Sequence, residues 1–416
     1  MSLATAFIIT HESDRTRTAQ DKSMSIIALT LTRALGRQGI RVVRIHPNMF
    51  EHSLTSRYCS AIEICPDMYE SEEALNQFLC ELGSRYPGEK ILIPASDDCS
   101  MYIAQHETVL QSHFVLLNPS AAAMSRMKNK KLQYELAQAA GVPIPETYFP
   151  STEEDIVALA ESAHNYPYVI KPLEAQKWRL DEFKDVAKGQ KAIKVYDKEQ
   201  LLAEFRRIAP FDNQLMVQEI ISGEDTNLYT FLAYCSNDKK PLAYCIRSKL
   251  RQSPIKFGYC CATISCHNDV VERQAKQMLQ IADYTGIVGI EFKLDPKTQE
   301  YKLIEINTRP VNTTGISIGC GVNLPLIAYN DAAGIPQNAV TDWEDGVTWV
   351  WLYHDFWVVK EMKSLGLITY GEWLKSIRGK RVHAIFAADD LKPVWNFYYK
   401  SVAALFGNKL SRLFAS

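Results

Sequence analysis

Nowhere does the chain approach the ~20 consecutive apolar residues that a helix needs to cross a bilayer, so no membrane span is expected. The ten cysteines include no Cys-x-x-Cys pair, and the one cluster, Cys260, Cys261 and Cys266, lacks a His-Cys spacing suited to zinc. Reduced, mostly buried thiols in a cytoplasmic protein are the expectation. Charge of one sign is not in excess: 46 Lys and Arg against 48 Asp and Glu leave a formal net charge of −2. That balance argues against nucleic acid or a membrane surface as the main partner. No Gly-x-Gly-x-x-Gly follows the first strand, where the chain reads Thr10-His11-Glu12-Ser13-Asp14-Arg15, so a dinucleotide-binding Rossmann site is not expected. Internal repeats and low-complexity tracts are missing too. The opening MSLATAFIITHESDRTR has no basic stretch ahead of its short apolar run and reads as a first strand, not a signal peptide.

What is present is an ordinary globular composition, 47% hydrophobic and 23% charged, in a chain of 416 residues with room for two or three domains. Over residues 1–125, apolar runs at 6–9, 42–45 and 90–94 alternate with amphipathic stretches at 25–37, 71–86 and 100–110. Such alternation predicts a mainly parallel sheet covered on both faces. Ser96-Asp97-Asp98 falls just past a strand, where open α/β sheets bind ligands; a helix cap is an equally good reading. A helix opens at Lys128-Asn129-Lys130-Lys131 and runs to about Ala140, before Gly141-Val142-Pro143 forces an extended exit. Strand 168–172 ends in Lys171. Strand 215–221 enters the turn Ser222-Gly223-Glu224-Asp225, a hinge that exposes backbone N–H and C=O groups. Beyond strand 242–246, Lys249 and Arg251 share one face of an extended segment, either as a wall for anions or as a basic solvated strand end.

The densest pattern lies at 286–315. Alternating strands at 287–295 and 301–307 flank a turn at 296–300. With the hairpin centred on Thr298, Glu291 sits opposite Glu305, which brings their Cβ atoms to about 4.5–5.5 Å. Asn307 shares that face, while Ile304 and Ile306 point into a core. Acids on an exposed sheet face are the plain alternative. The apolar partner face, the Asn and the following Thr308-Arg309-Pro310 favour the other reading. Two carboxylates and an amide oxygen repel unless a cation neutralises them, and hard oxygen ligands suit Mg²⁺. Arg309 beside them is placed to clamp an anionic intermediate. The pattern points to a magnesium–nucleotide site.

Glu291 followed by Glu305-Ile306-Asn307-Thr308-Arg309-Pro310 resembles the metal-binding signature of the ATP-grasp ligases, and the likeness extends over about residues 90–335. It implies a mixed α/β and α+β fold: an N-terminal parallel α/β domain (1–125), then a two-lobed ATP-grasp core with antiparallel sheets (126–340), its lid at about 145–220. The aromatic segment 341–416 is expected to close over the core or to form an oligomer contact, such as a homodimer. In that family a lysine eleven residues before the Gly-Val-Pro turn contacts phosphates; this is Lys130, with Lys131 its neighbour. Lys171 is implied as the second phosphate lysine. The loop after it, 173–181, lacks the usual glycines, so Lys177 is expected to cover the triphosphate or read the acceptor. Gln218, Glu219 and Ile221 are implied at adenine, and Asp225 or Glu224 at the ribose. Glu291, Glu305 and Asn307 are the implied ligands of Mg²⁺ or Mn²⁺. Arg309, helped by Arg251, is implied at the acylphosphate, and as an anion wall Lys249 and Arg251 would face the γ-phosphate or the substrate carboxylate. The Gly-rich stretches 312–315 and 319–323 are expected to admit an amine. Residues 371–375 and 388–390 resemble the tail of D-aspartate ligase-like carboxylate–amine ligases. The implied reaction joins a small carboxylic acid, activated by ATP as an acylphosphate, to an amine, amino acids or peptides being the expected substrates. A phosphotransferase, a carboxylase or a regulatory protein with a degenerate nucleotide site are the alternatives.

Overall fold

The computed structural model describes residues 3–11, 25–49, 51–173, 178, 186, 192–255 and 258–398. Among these residues sixteen strands fall into three sheets. The first sheet is parallel, with order β3-β2-β1-β4-β5 for β1 (Thr5–Ile9), β2 (Val42–His46), β3 (Ala61–Ile64), β4 (Lys90–Pro94) and β5 (Val115–Leu116). Every residue of β1 is buried, as expected for a run, TAFII, covered on both faces. The strand order reverses between β1 and β4, and Asp97 opens the helix that follows β4. Ser96 is that helix's cap, its hydroxyl accepting from Cys99 N, so Asp97 is left to reach elsewhere.

The second sheet is antiparallel, with order β6-β9-β7-β8 for β6 (Thr147–Tyr148), β7 (Tyr168–Pro172), β8 (Ile193–Val195) and β9 (Leu215–Glu219). Helices Glu153–Ser162 and Lys198–Ile208 bury Ile156, Leu159, Leu201 and Phe205 against Tyr168, Ile170 and Val217, giving this lobe a core of its own. A reciprocal cap between Thr152 and Asp155 starts the first of them. The helix expected at the entrance to this lobe is Lys130–Ala139, and a separate helix, Ala121–Lys128, ends just before it. Asn129 separates them because its side chain accepts from Lys131 N and Leu132 N and so caps Lys130–Ala139.

The third and largest sheet runs β14-β13-β10-β11-β12-β15-β16: β10 (Leu228–Cys235), β11 (Pro241–Ser253), β12 (Tyr259–Ser265), β13 (Gly286–Leu294), β14 (Tyr301–Asn307), β15 (Thr348–Val350) and β16 (Arg381–His383). Helix Asp269–Ala282 covers one face with the stripe Val271, Ala275, Met278, Leu279 and Ala282, spaced as one side of a helix must be. On the other face, Tyr234 donates to Asp331 of helix Leu324–Ala332 at 2.7 Å, and Gly289 leaves room for Val311. That helix and the segment before it cover one end of the face, and its other end forms a cleft. Of the two Gly-rich stretches, 312–315 is a 3₁₀ turn, Asn312–Thr314, running into helix Gly315–Gly319 on β15 and β16, and 319–323 is a turn that leaves this helix.

The aromatic C-terminal segment enters the large sheet through β15 and β16 and is clipped to the first domain. Arg33, on helix Ile26–Gly36, donates to Asp390 Oδ2 at 2.9 Å and to the carbonyls of Ile385 and Asp390 at 2.7 and 2.9 Å. Arg37 grips Asp389 through two bonds of 2.8 Å. All ten cysteines are free thiols, and among the described residues no helix is long and apolar enough to cross a membrane.

Arg251 corrects an expectation. Register shifts between Lys249 and Gln252 turn it out of the face that Lys249 shares. Its guanidinium is buried and donates to Asp355 at 2.6 and 3.0 Å and to Ser376 at 2.8 Å, while Trp373 Nε1 adds a bond to Asp355 at 2.7 Å. Arg251 therefore fastens the C-terminal helices and does not face the cleft. Breaking one side of such a pair strands a buried charge, so Asp355→Asn should destabilise the fold by about 3–5 kcal/mol in urea titration. The double change Arg251→Met with Asp355→Leu should recover most of that loss.

Candidate active site

One row of directly paired residues crosses the large sheet: Ser265 on β12, Arg247 on β11, Thr230 on β10, Glu291 on β13 and Glu305 on β14. Directly paired residues share a face, so the two carboxylates lie side by side as expected, and Asn307 is two positions beyond Glu305. The hairpin reaches that register through a bulge. Phe292 pairs with Leu303, so Ile304 is the extra residue and lies half-buried outside the core, while Leu303 and Ile306 are buried.

Cations converge on the acids from three elements. Arg247 stands 3.6 Å from Glu291, and Lys130 stands 3.8 Å from Glu305. Lys171, on the second sheet, donates to Gln218 Oε1 at 3.1 Å; Gln218 in turn donates to Tyr134 at 2.7 Å, tying that sheet to helix Lys130–Ala139. Glu305 is walled in by protein yet keeps 47% of its side-chain surface open, the condition of a group at the base of a cleft. Burial pushes its pKa up, but Lys130 and Lys128 outweigh that and hold it below the usual value, so it is ionised near neutrality. Burial and the neighbouring Lys130 lower Lys171 to about 8. The paired carboxylates and an amide oxygen form a hard-donor set, and cations standing off at 3.6 and 3.8 Å leave lone pairs for a divalent ion. Among the described residues no group of three or more His, Cys, Asp and Glu could hold a metal.

Arg309 leaves the hairpin and meets Asp97, which also takes Lys128. Burial alone would raise Asp97, but the two cations hold its carboxyl far below the usual range. The first sheet thus supplies an anion at its switch point to the arginine after the metal-type hairpin.

Three comparisons bear on this geometry. A family profile described as "ATP-grasp in the biosynthetic pathway with Ter operon" matches residues 213–354, which include the hinge after β9 and the hairpin. Biotin carboxylase from Campylobacter jejuni, solved as a β-γ-ATP complex, superposes with a TM-score of 0.61 at 16% identity, covering 80% of this chain and 72% of that one. This is the ATP-grasp fold. L-amino acid ligase from Bacillus licheniformis gives a TM-score of 0.56 at 15% identity over 80% of this chain and 75% of that one. Among characterised sequences, D-aspartate ligase of Enterococcus faecium (strain Aus0004) is 24% identical over 279 residues, 65% of this chain. The match spans 66% of that ligase's length, just under two thirds.

Within the ATP-grasp core the other expected residues are distributed unevenly. Lys177 lies outside the described residues. Lys249 is 6% exposed, 3.4 Å from Gln252 Oε1, and Gln252 donates to Asp225 at 2.7 Å. Burial raises the Asp225 pKa against the pull of Lys249. Glu224 is exposed. At the hinge, the Ile221 carbonyl accepts from Lys293 at 2.9 Å, and the Glu219 carboxylate accepts from Lys302 at 2.7 Å and from Glu146 N at 2.9 Å. Gly223, at φ 96°, makes the turn that follows them. Gln218 acts on the cleft through Lys171 and Tyr134.

Sequence reasoning missed Arg247, Lys293 and Lys302; it singled out Asp97 and the lysine cluster containing Lys128, but not that Asp97 holds Lys128 and Arg309. Alternation already contained a signal for Arg247, which is two residues before Lys249 and so on its face. For Asp97 the place past a strand end was legible, but its pairing with Arg309, 212 residues away, was not.

Lys171 supplies a test. The folded chain binds its proton less tightly (about 8) than the ordinary lysine value of 10.5, so the unfolded chain holds more protons between those values. Wild-type stability should therefore rise with pH through that window. Lys171→Met lacks this gain, so its stability relative to wild type should fall between neutral pH and pH 10.5, as urea denaturation at the two ends would read.

Proposed function

We propose that the chain is an ATP-dependent ligase that activates a small carboxylic acid as an acylphosphate and joins it to an amine, with amino acids or peptides as substrates. The observation that carries this reading is the direct pairing of Glu291 and Glu305, with Asn307 on the same face and Lys130 and Lys171 converging above them. The similarity to a D-aspartate ligase and the shared fold with an L-amino acid ligase support an amino-acid substrate.

Glu291, Glu305 and Asn307 would hold Mg²⁺ or Mn²⁺, which when bound neutralises charge on the β- and γ-phosphate oxygens. Lys130 and Lys171 grip the triphosphate, and phosphate oxygens relieve the crowding of these two cations. The hinge at Glu219 to Ile221 receives adenine once Lys293 releases the Ile221 carbonyl, and Asp225 receives the ribose. A carboxylate oxygen of the acid forms a bond to the γ-phosphorus as the bond to ADP breaks. The amine nitrogen then bonds to the acyl carbon, phosphate leaves with the electron pair, and the nitrogen gives up a proton. Arg309, aimed by Asp97, stabilises the acylphosphate, and Arg247 replaces Arg251 as the second arginine facing this charge. No protein nucleophile takes part. Catalysis is positioning, electrostatics and exclusion of water by the second sheet. The reactants are small molecules, and a cytoplasmic location follows from such a reaction.

The shared fold with a biotin carboxylase keeps carboxylation as the second reading. Phosphate release from ATP separates the two. A ligase releases phosphate only when an acid and an amine are both present; bicarbonate-dependent release indicates a carboxylase, and release with an acid alone indicates a kinase. Glu305→Gln should lower the rate by about 100-fold or more while leaving the folded state intact, because the side chain sits in a wet cleft. Wild-type turnover by that variant removes the metal assignment.

A further inference from the structure

A cavity of about 330 Å³ lies between helix Ile26–Gly36, helix Gly315–Gly319 and the edge strands β15 and β16. It is not part of the cleft. Strands β10, β11 and β12 separate β15 from β13, a distance of roughly 19 Å at the usual strand spacing. Two glycines shape one wall: a side chain at Gly319 would collide with Val382, and one at Gly315 would crowd the Trp349 indole nitrogen at 3.3 Å.

The cavity's polar groups are unevenly satisfied. Arg33 and Arg37 line it, but Asp390 and Asp389 neutralise them. Arg381 also lines it and, among the described residues, makes no ion pair. Trp349 is fully buried, and its Nε1 has no hydrogen-bond partner; His383 Nδ1 is likewise buried and unpartnered, and both residues line the same cavity. Buried polar atoms without partners are rare in folded proteins, and the Trp349 N–H, the His383 ring nitrogen and the Arg381 guanidinium beside one cavity call for an acceptor with negative charge. Burial, and then the neighbouring Arg381, lower the pKa of His383, so its ring is neutral and one nitrogen can donate. The remaining lining includes Ile318, Val382 and Phe386.

We propose that this cavity is a second small-molecule site, one that takes a monocarboxylate with an apolar body. The carboxylate lies among the Arg381 guanidinium, the Trp349 N–H and the His383 ring, and the body packs on Ile318, Val382 and Phe386. Its occupant bridges the first helix and the C-terminal strands, and the proposal does not depend on the ligase reading.

The test follows the indole N–H signals of tryptophan-labelled, full-length protein by NMR, with the Trp349 signal assigned through Trp349→Phe. Acetate, isovalerate and phenylacetate are titrated in parallel with their neutral amides. The carboxylates should shift the Trp349 signal, with the larger bodies binding tighter, and the amides should not. Arg381→Ala, at an exposed position, should weaken binding at least tenfold. Glu305→Gln should leave it unchanged, which separates this cavity from the cleft. No shift with any carboxylate, equal shifts with the amides, or undiminished binding by Arg381→Ala would each overturn the proposal.

Discussion

The structure depends on one electrostatic constraint: two like charges, Glu291 and Glu305, are held directly opposite each other by a backbone ladder that cannot let them part. In water such a pair would separate or one member would take up a proton. Here the hairpin fixes their spacing, and the lysines around Glu305 keep it ionised against burial. The same crowding in reverse governs Lys171, which burial and Lys130 deprive of part of its proton affinity. Glu291 and Glu305 thus meet their cations without closing into tight pairs, at 3.6 and 3.8 Å. Unspent charge of both signs in one place is what a metal–polyphosphate ligand requires.

Everything else in the fold keeps that cleft in shape. The chain after the hairpin folds back over one end of the same face, with Val311 against Gly289 and helix Leu324–Ala332 against Tyr234, so the cleft has a floor and one wall. Arg309 and Lys128 share Asp97, which ties the first sheet to the hairpin at the point where strand order reverses. Lys171 and Gln218 bring the second sheet in from above. The ion pairs that fasten the C-terminal segment, Arg251 with Asp355 and Arg33 with Asp390, are buried and hydrogen-bonded, whereas those of Glu291 and Glu305 are longer and leave the acids more open. That contrast separates cations that hold the fold from cations placed to meet a ligand.

The amino-acid sequence by itself determined the elements whose causes are local. Period-two alternation with a polar turn determined the hairpin, and the apolar runs the parallel sheet, while the bulge completes the pairing of the two acids. The Gly-Val-Pro exit and the Ser-Gly-Glu-Asp turn placed Lys130 and the hinge. The tertiary structure decided what rests on partners far along the chain or on a one-residue change of register. The bulge at Ile304 moved that residue out of the core and left Leu303 in its place. The shifts in β11 turned Arg251 away from Lys249 toward Asp355, 104 residues later, and left Arg247 facing the acids. A strand repeat of two makes any inserted residue reverse the face of all that follow, and no local pattern announces the insertion. Electrostatic partnership has the same character: composition supplies the charges, but only packing brings Asp97 to Arg309.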